Sequence, residues 1–393
     1  MSKINYTIAM IKRELSNTIL KTMSQFPVVT LTGPRQSGKT TLLRQLFPEK
    51  PYISMEDPDQ ILRFNDDPKG FLDQYPNGAF FDEFQKVPAL PSYLQRRIDD
   101  KKQNGLYILS GSQQLEIMAS VSQSLAGRTA MLELLPLSLS ELNSGGYEVD
   151  DNTAIAQGFY PRQYDQQLDS DLMLKSYVKT YLERDIHMLI NIKNFVQFQR
   201  FLTICASRVG QIVVASQIAN EVGVSVTTIQ SWLSILQASY IIYLLPPFYT
   251  NISKRLIKSP KLYFYDVGLA SFLLGIQTPQ QVSRDPLRGG LFENMIIMDI
   301  LKTILHKGQY PRIYFYRDKH QKEVDLLIQQ GTEYTAIEIK SASTFHPNFI
   351  STLNYVDAVL PEKINKKYLL YAGNDAFEHQ GANVRNWREF KNS

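Results

Sequence analysis

Gly33-Pro34-Arg35-Gln36-Ser37-Gly38-Lys39-Thr40 is the stretch on which the fold turns. It spells G-x-x-x-x-G-K-[ST], follows the apolar run PVVTL at 27–31, and opens onto Thr41 and the helical pattern LLRQLF. A strand, a glycine-rich turn and a helix in that order form the context in which this motif cradles phosphate. The glycines let consecutive backbone N–H groups curl around phosphate oxygens, and the helix N-terminus adds the positive end of its dipole. Residues 33 to 41 are therefore candidate nucleotide contacts. Lys39 is placed to meet β- and γ-phosphates, and the Thr40 hydroxyl to hold Mg2+. The bland alternative is a strand-to-helix turn that holds nothing, which needs neither flank.

Such a loop needs a second acid for the metal. Phe80-Phe81-Asp82-Glu83 offers an apolar strand ending in two carboxylates, so Asp82 is the candidate metal ligand and Glu83 the candidate for orienting or deprotonating the attacking water. Next along the chain, LYILSGSQ is a strand ending in small polar residues. Ser112 lies just past its end as a candidate γ-phosphate sensor, although Ser-Gly-Ser is also ordinary turn chemistry. Gly127-Arg128 comes just before the run AMLELL at 130–135. An arginine at a sheet rim suits a finger presented to a neighbouring subunit's nucleotide, and equally a surface ion pair. With YISM at 52–55, these apolar runs alternate with helix-length segments, which predicts a mainly parallel α/β sheet.

The combination GPRQSGKTTLL, FFDEFQ, LSGSQ, LAGR and LPLSLSE resembles a group of bacterial and archaeal AAA+-type ATPases. In that group the P-loop domain is fused to a C-terminal region of unknown function. GFYPR and YLERDI, with Gly158, Arg184 and Asp185, are similar to the second half of the fusion, so the resemblance spans nearly the whole chain. It implies ATP hydrolysis by Lys39, Thr40, Asp82 and Glu83, with Ser112 as sensor and Arg128 as a finger acting in trans. Arg184 is the candidate for a second sensor arginine.

Beyond the sheet, the chain reads GQIVVASQIANEVGVSVTTIQSWLSILQASY from 210 to 240. VVASQIANEVG is a short helix ended by Gly223, and Ser225 can cap a second one. That second helix puts Ile229, Leu233 and Leu236 on one face and offers Thr227, Thr228, Gln230 and Ser231 to solvent. A helix-turn-helix followed by IIYLLPPF and the run from Asn251 to Lys261 suggests a winged helix. Between Arg200 and Lys261 six basic residues face one acid, Glu221, a surplus of +5 against +4 for the whole chain. Positive charge is thus concentrated beside the second helix, and Lys254, Arg255, Lys258 and Lys261 are the candidate DNA contacts. The helix carries no arginine, so base-specific readout is not expected, and a winged helix used only for subunit packing remains open.

The last informative string is Glu323-Val-Asp325-Leu-Leu-Ile followed by Ala336-Ile-Glu338-Ile-Lys340. On a strand Glu338 and Lys340 share a face, and Asp325 precedes Glu338 by a hairpin-sized interval. Glu293, in the helical run GGLFENMIIMDIL, adds a third carboxylate. Acids that hold Mg2+ beside a lysine that positions water are what a metal-dependent phosphodiesterase needs. The string resembles the PD-(D/E)xK nuclease fold, with Asp325, Glu338 and Lys340 at its signature positions. Alternating Glu and Lys on an exposed strand edge is the plain alternative, and a nuclease fold without cleavage can serve as a clamp.

Composition bounds the rest. The 393 residues, 44% hydrophobic with 22 Tyr and 20 Phe, can build several cores and exclude global disorder. One cysteine, Cys205, excludes an internal disulfide framework and suits a reducing compartment, and the five histidines have no metal-ligand spacing. MSKINYTIAMIKREL has no long apolar core, so a cytoplasmic protein is expected. The expected organisation is an AAA+-like P-loop domain at 1–145, a helical lid or connector at 146–200, a winged-helix-like unit at 201–270 and an α/β nuclease-like domain at 271–393. The expected function is an oligomeric ATPase, a ring of six being one arrangement, that uses ATP and Mg2+ to move or remodel DNA. A nucleotide-switched interaction protein and an ATP-dependent nuclease are the alternatives.

Overall fold

The computed structural model describes residues 11–112, 117, 124–186, 195–248, 259–360 and 364–390. The five predicted apolar runs form one parallel sheet: β1 (Val28–Thr32), β2 (Tyr52–Ser54), β3 (Phe80–Asp82), β4 (Tyr107–Gly111) and β5 (Thr129–Glu133). Their order is β2-β3-β4-β1-β5. Every residue of β1 is buried, as expected for a central strand covered on both faces. Because all five strands run the same way, the turns after β1, β3 and β4 open on one rim, where open α/β sheets bind ligands.

The middle of the chain is helical. Helix Ser170–Tyr177 continues into a wider-pitched turn at Val178–Ile186, and helices Phe195–Ser207, Ala215–Val222 and Val226–Ala238 follow. Gly223 ends one helix in the left-handed region at φ 80°, and the Ser225 hydroxyl accepts the Thr228 N–H at 3.0 Å to start the next. Ile229, Leu233 and Leu236 are buried as their spacing predicts, and the Trp232 ring packs edge-on against Phe198. Thr227, Gln230 and Ser231 are exposed, and Thr228 is half-buried. Strands β6 (Ile242–Leu245) and β7 (Lys261–Phe264) then pair antiparallel.

Helix Arg288–His306 leads into a six-stranded sheet, β8 (Ile313–Arg317), β9 (Glu323–Gln330), β10 (Glu333–Lys340), β11 (Ile364–Tyr371), β12 (Phe377–His379) and β13 (Ala382–Asn386), ordered β12-β13-β11-β10-β9-β8. Strands β8, β9 and β10 form an antiparallel meander, and β11 joins β10 in parallel. One apolar cluster joins the helical middle to the C-terminal sheet, from Leu137 through Phe201 and Ile297 to Ile339, while the faces of the five-stranded sheet have cores of their own around Phe81 and Leu31. Among the described residues no helix is long and apolar enough to cross a membrane.

Candidate functional site

The turn after β1 is built to let backbone approach backbone. Gly33 has φ 144°, and a side chain there would put its Cβ 2.2 Å from the Leu134 carbonyl oxygen. Gly38, at φ 89°, sits in the left-handed region at the foot of helix Lys39–Leu46. Lys39 is buried, and its Nζ donates to the carbonyl oxygens of Gly33 at 2.9 Å and Pro34 at 2.8 Å. Burial lowers its pKa to about 8, against the pull of Glu83 and Asp82. The ammonium is therefore held by neutral acceptors that a phosphate can outbid.

Asp82 ends β3. Its Oδ2 accepts the Thr40 hydroxyl at 2.7 Å and the Tyr52 hydroxyl at 3.1 Å, and its Oδ1 accepts the Ser110 hydroxyl from β4. A hydroxyl from the loop helix and a carboxylate from the neighbouring strand thus converge, which fits the hard oxygen donor set of Mg2+. Glu83 takes the next step of the chain in a left-handed conformation, φ 50°, unusual for a side chain of its size. Its Oε2 accepts the Ser112 hydroxyl at 3.1 Å and the Gln85 amide at 2.5 Å. Lys39, Thr40 and Glu83 face a recess of about 440 Å³ whose opposite wall is Tyr177, Thr180 and Tyr181. The Arg35 guanidinium lies over the Tyr181 ring at 5.2 Å. A second recess of about 230 Å³ adjoins Gly38 on the side of Leu137, Pro161 and Arg162.

Several of these groups carry no local mark in the sequence. Arg13 is buried and donates to Ser37 O at 2.7 Å, Leu135 O at 2.6 Å and the Glu141 carboxylate at 3.0 Å, pinning the loop from beneath. Tyr177, Thr180 and Tyr181 arrive from a segment far along the chain. Gln85 was the legible one, a polar residue two positions after Glu83 in FFDEFQ.

Arg128 lies at the other rim. Its carbonyl accepts the Val28 N–H at the start of β1, and its guanidinium straddles Asp99 at 2.7 and 2.8 Å. The five residues of β1 separate it from Gly33 by about 15 Å, so it cannot serve its own loop. The Arg184 side chain lies outside the described residues, as do Lys254, Arg255 and Lys258.

The acids predicted at the other end of the chain do assemble, with a change. Asp325 and Glu338 sit where β9 and β10 part, and Asp325 Oδ2 accepts the Ile339 N–H at 2.8 Å. Lys340 pairs with Glu338 at 2.5 Å. Lys261, expected among the cations facing DNA, is instead 2% exposed. Its Nζ lies 3.0 Å from Glu293, 2.6 Å from Glu323 and 3.8 Å from Asp325. Burial acts to lower the Lys261 pKa, but Glu293, Tyr263 and Asp325 raise it well above the ordinary lysine value. Burial and Asp325 push Glu293 up to about 7, and the same two causes raise Glu338 well above the carboxylate range. Among the described residues no group of three or more acids, histidines or cysteines is placed to hold a metal ion. Of the three acids expected to hold a metal, Glu293 and Asp325 have the Lys261 ammonium beside them, and Glu338 has Lys340.

Comparison with known proteins divides the chain into three matches. Residues 25–143 match the family described as AAA domain, and residues 149–280 and 288–390 match two families each described as a domain of unknown function. Uncharacterized proteins of Mycobacterium tuberculosis and Mycobacterium bovis are 27% identical over 370 residues, covering 93% of this chain and 81% of theirs. A solved Walker-type ATPase of Pyrococcus abyssi is 13% identical with a TM-score of 0.40, over 67% of this chain and 95% of that one.

Proposed function

We propose that this chain, which carries an AAA-type P-loop domain at residues 25–143, hydrolyses ATP and couples turnover to DNA through its middle segment. The observation that carries the first half is the meeting of Thr40 with Asp82 at 2.7 Å, beside a Glu83 fixed by Ser112 and Gln85 and facing an open recess with Lys39. Thr40 and Asp82 would hold Mg2+, which when bound neutralises phosphate charge. Lys39 leaves the carbonyls of Gly33 and Pro34 for the β- and γ-phosphate oxygens. Glu83 orients the attacking water and takes its proton, and Ser112 and Gln85 hold that carboxylate until the water is in line.

Arg128 is assigned as a finger for a neighbouring copy, on the strength of its half-buried place at the rim away from its own loop, where Asp99 holds it. This makes the active ATPase an oligomer. The three helices and the β6–β7 pair support a winged-helix reading of the middle segment, with Thr227, Gln230 and Ser231 exposed and Lys254, Arg255 and Lys258 close by in sequence. The test is phosphate release from Mg-ATP with and without duplex, single-stranded and branched DNA. Turnover raised by one DNA form is expected. Turnover indifferent to every DNA form supports the nucleotide-switched interaction protein instead, and no turnover under any condition overturns the ATPase assignment.

A further inference from the structure

Two expectations drawn from sequence meet at one atom: the Lys261 ammonium, thought to face DNA, stands among the acids thought to hold a metal. We propose that Lys261 is the resident cation of the acid cluster of Glu293, Glu323, Asp325 and Glu338, so that the cluster takes up no divalent metal ion unless that lysine withdraws. Four elements bring the groups together, with Glu338 contributed by β10. Lys261 opens β7, Glu293 lies in helix Arg288–His306, and Glu323 and Asp325 share a face of β9 two residues apart. The ammonium lies at hydrogen-bond distance from Glu293 and Glu323, 3.0 and 2.6 Å, with Asp325 a more distant ion-pair neighbour at 3.8 Å.

Charge counting favours a cation there. Four carboxylates, Glu293, Glu323, Asp325 and Glu338, face three cations: Lys261, Lys340 paired with Glu338, and Arg317 at 3.4 Å from Glu323. Glu338 is 5% exposed, and its Oε2 is buried without a hydrogen-bond partner. An orphaned buried carboxylate oxygen is a costly feature in a folded chain, and it marks unused acceptor capacity on an acid of the cluster. With every acid ionised, four acids against three bases leave at most one negative charge uncompensated, and the crowding shows in the upward push that burial and Asp325 give to Glu293 and Glu338. Removing the ammonium takes one positive charge from the cluster and leaves Glu293, Glu323 and Asp325 open to a cation from solution. Hard oxygen donors of this kind suit Mg2+ or Mn2+. The lysine therefore does what the metal of a phosphodiesterase site would do electrostatically, while activating no water.

The experiment titrates Mn2+ into the nucleotide-free protein and reads free Mn2+ by paramagnetic resonance, with thermal melting alongside. The wild type is expected to take up no Mn2+ that depends on Asp325. Lys261→Met is expected to bind one Mn2+ at least about tenfold more tightly than wild type. That uptake should vanish when Asp325→Asn is added. Since Lys261→Met strips the counter-charge from buried acids, the charge-balanced Lys261→Met/Glu323→Gln variant is run beside it. Folding of either variant only on addition of Mn2+ also supports the proposal. Asp325-dependent Mn2+ uptake by the wild type as tight as by Lys261→Met overturns it. So does folded Lys261→Met with no uptake, or failure of both variants to fold with and without Mn2+.

Discussion

Two of the buried lysines, Lys39 and Lys261, both stand near carboxylates and are pushed in opposite directions. Lys39, 5% exposed, rests on two carbonyl oxygens, and its pKa falls to about 8. Lys261, 2% exposed, rests among carboxylates, and its pKa rises well above the usual value although burial opposes the rise. Desolvation acts on both, so the partner decides the outcome. A lysine on neutral acceptors in front of an open recess is available to an incoming anion. A lysine sunk among anions is already spoken for. Availability, rather than the presence of acids and a lysine, separates a site ready for chemistry from a closed one.

The largest effects should fall on the available lysine and its acids. Lys39→Ala is expected to abolish ATP turnover, because it removes the charge facing the β- and γ-phosphates. Glu83→Gln should keep ATP binding and lower turnover by about 10²- to 10⁴-fold, the usual weight of a positioned base. Fluorescent-nucleotide binding and phosphate release measure the two separately. Wild-type turnover in Glu83→Gln would remove that residue from the water-orienting role. By the same contrast, Lys261→Met should leave the ATPase rate of folded protein unchanged.

Arg128 sharpens the comparison because it belongs to neither lysine's surroundings. If it completes a neighbour's site, Arg128→Ala should cost about 10³-fold in turnover, the lower end for such fingers. Mixing it with Lys39→Ala subunits should restore part of the rate, since an intact finger can then face an intact loop. No recovery at any ratio, together with a monomer at micromolar concentration by light scattering, would leave Arg128 as the surface partner of Asp99.

Some of this was legible in the sequence and some was not. The runs at 27–31, 52–55, 79–82, 106–109 and 130–135 became β1 to β5, because central strands are continuous apolar stretches. Lys39, Thr40, Asp82 and Glu83 were readable because their chemistry is written in contiguous motifs at strand ends. Asp325 and Glu338 were readable because hairpin register joins near neighbours. The strand order was not, since each crossover is decided by packing. Lys261 was misread because its charge looks free until β7, the long helix and β9 close around it. Arg13 was missed for the same reason, its Glu141 partner lying 128 positions away.

The misreading of Lys261 bears on the DNA prediction. Arg208 is also paired, with Glu221, so neither it nor Lys261 displaces counterions from a phosphate backbone. Replacing Lys254, Arg255 and Lys258 with Ala should make the salt dependence shallower by up to about 3 units of log K per log[salt], similarly for all sequences. Replacing Lys261 should not change that slope. Fluorescence anisotropy across a salt series distinguishes the two, and a slope set by Lys261 would contradict its burial among acids.

The smallest effect is the finest test of the contrast. The folded pKa of Lys39 is lowered from 10.5 to about 8, so between these values the unfolded chain holds a proton that the native loop has released. Stability of the nucleotide-free protein should therefore rise with pH across that window on account of this group. ATP acts in the opposite sense, because its phosphates favour the charged form. Binding near and above pH 8 should draw in a proton, and affinity should fall by at most about tenfold per pH unit, the slope of one linked proton. Calorimetry in two buffers of different ionisation enthalpy reads that proton directly. Lys39→Arg, which cannot lose its charge in this range, should bind ATP with no such uptake. If wild type and Lys39→Arg take up the same fraction of a proton at pH 8.5, the linked group is not Lys39, and the neutral-acceptor account of its availability fails.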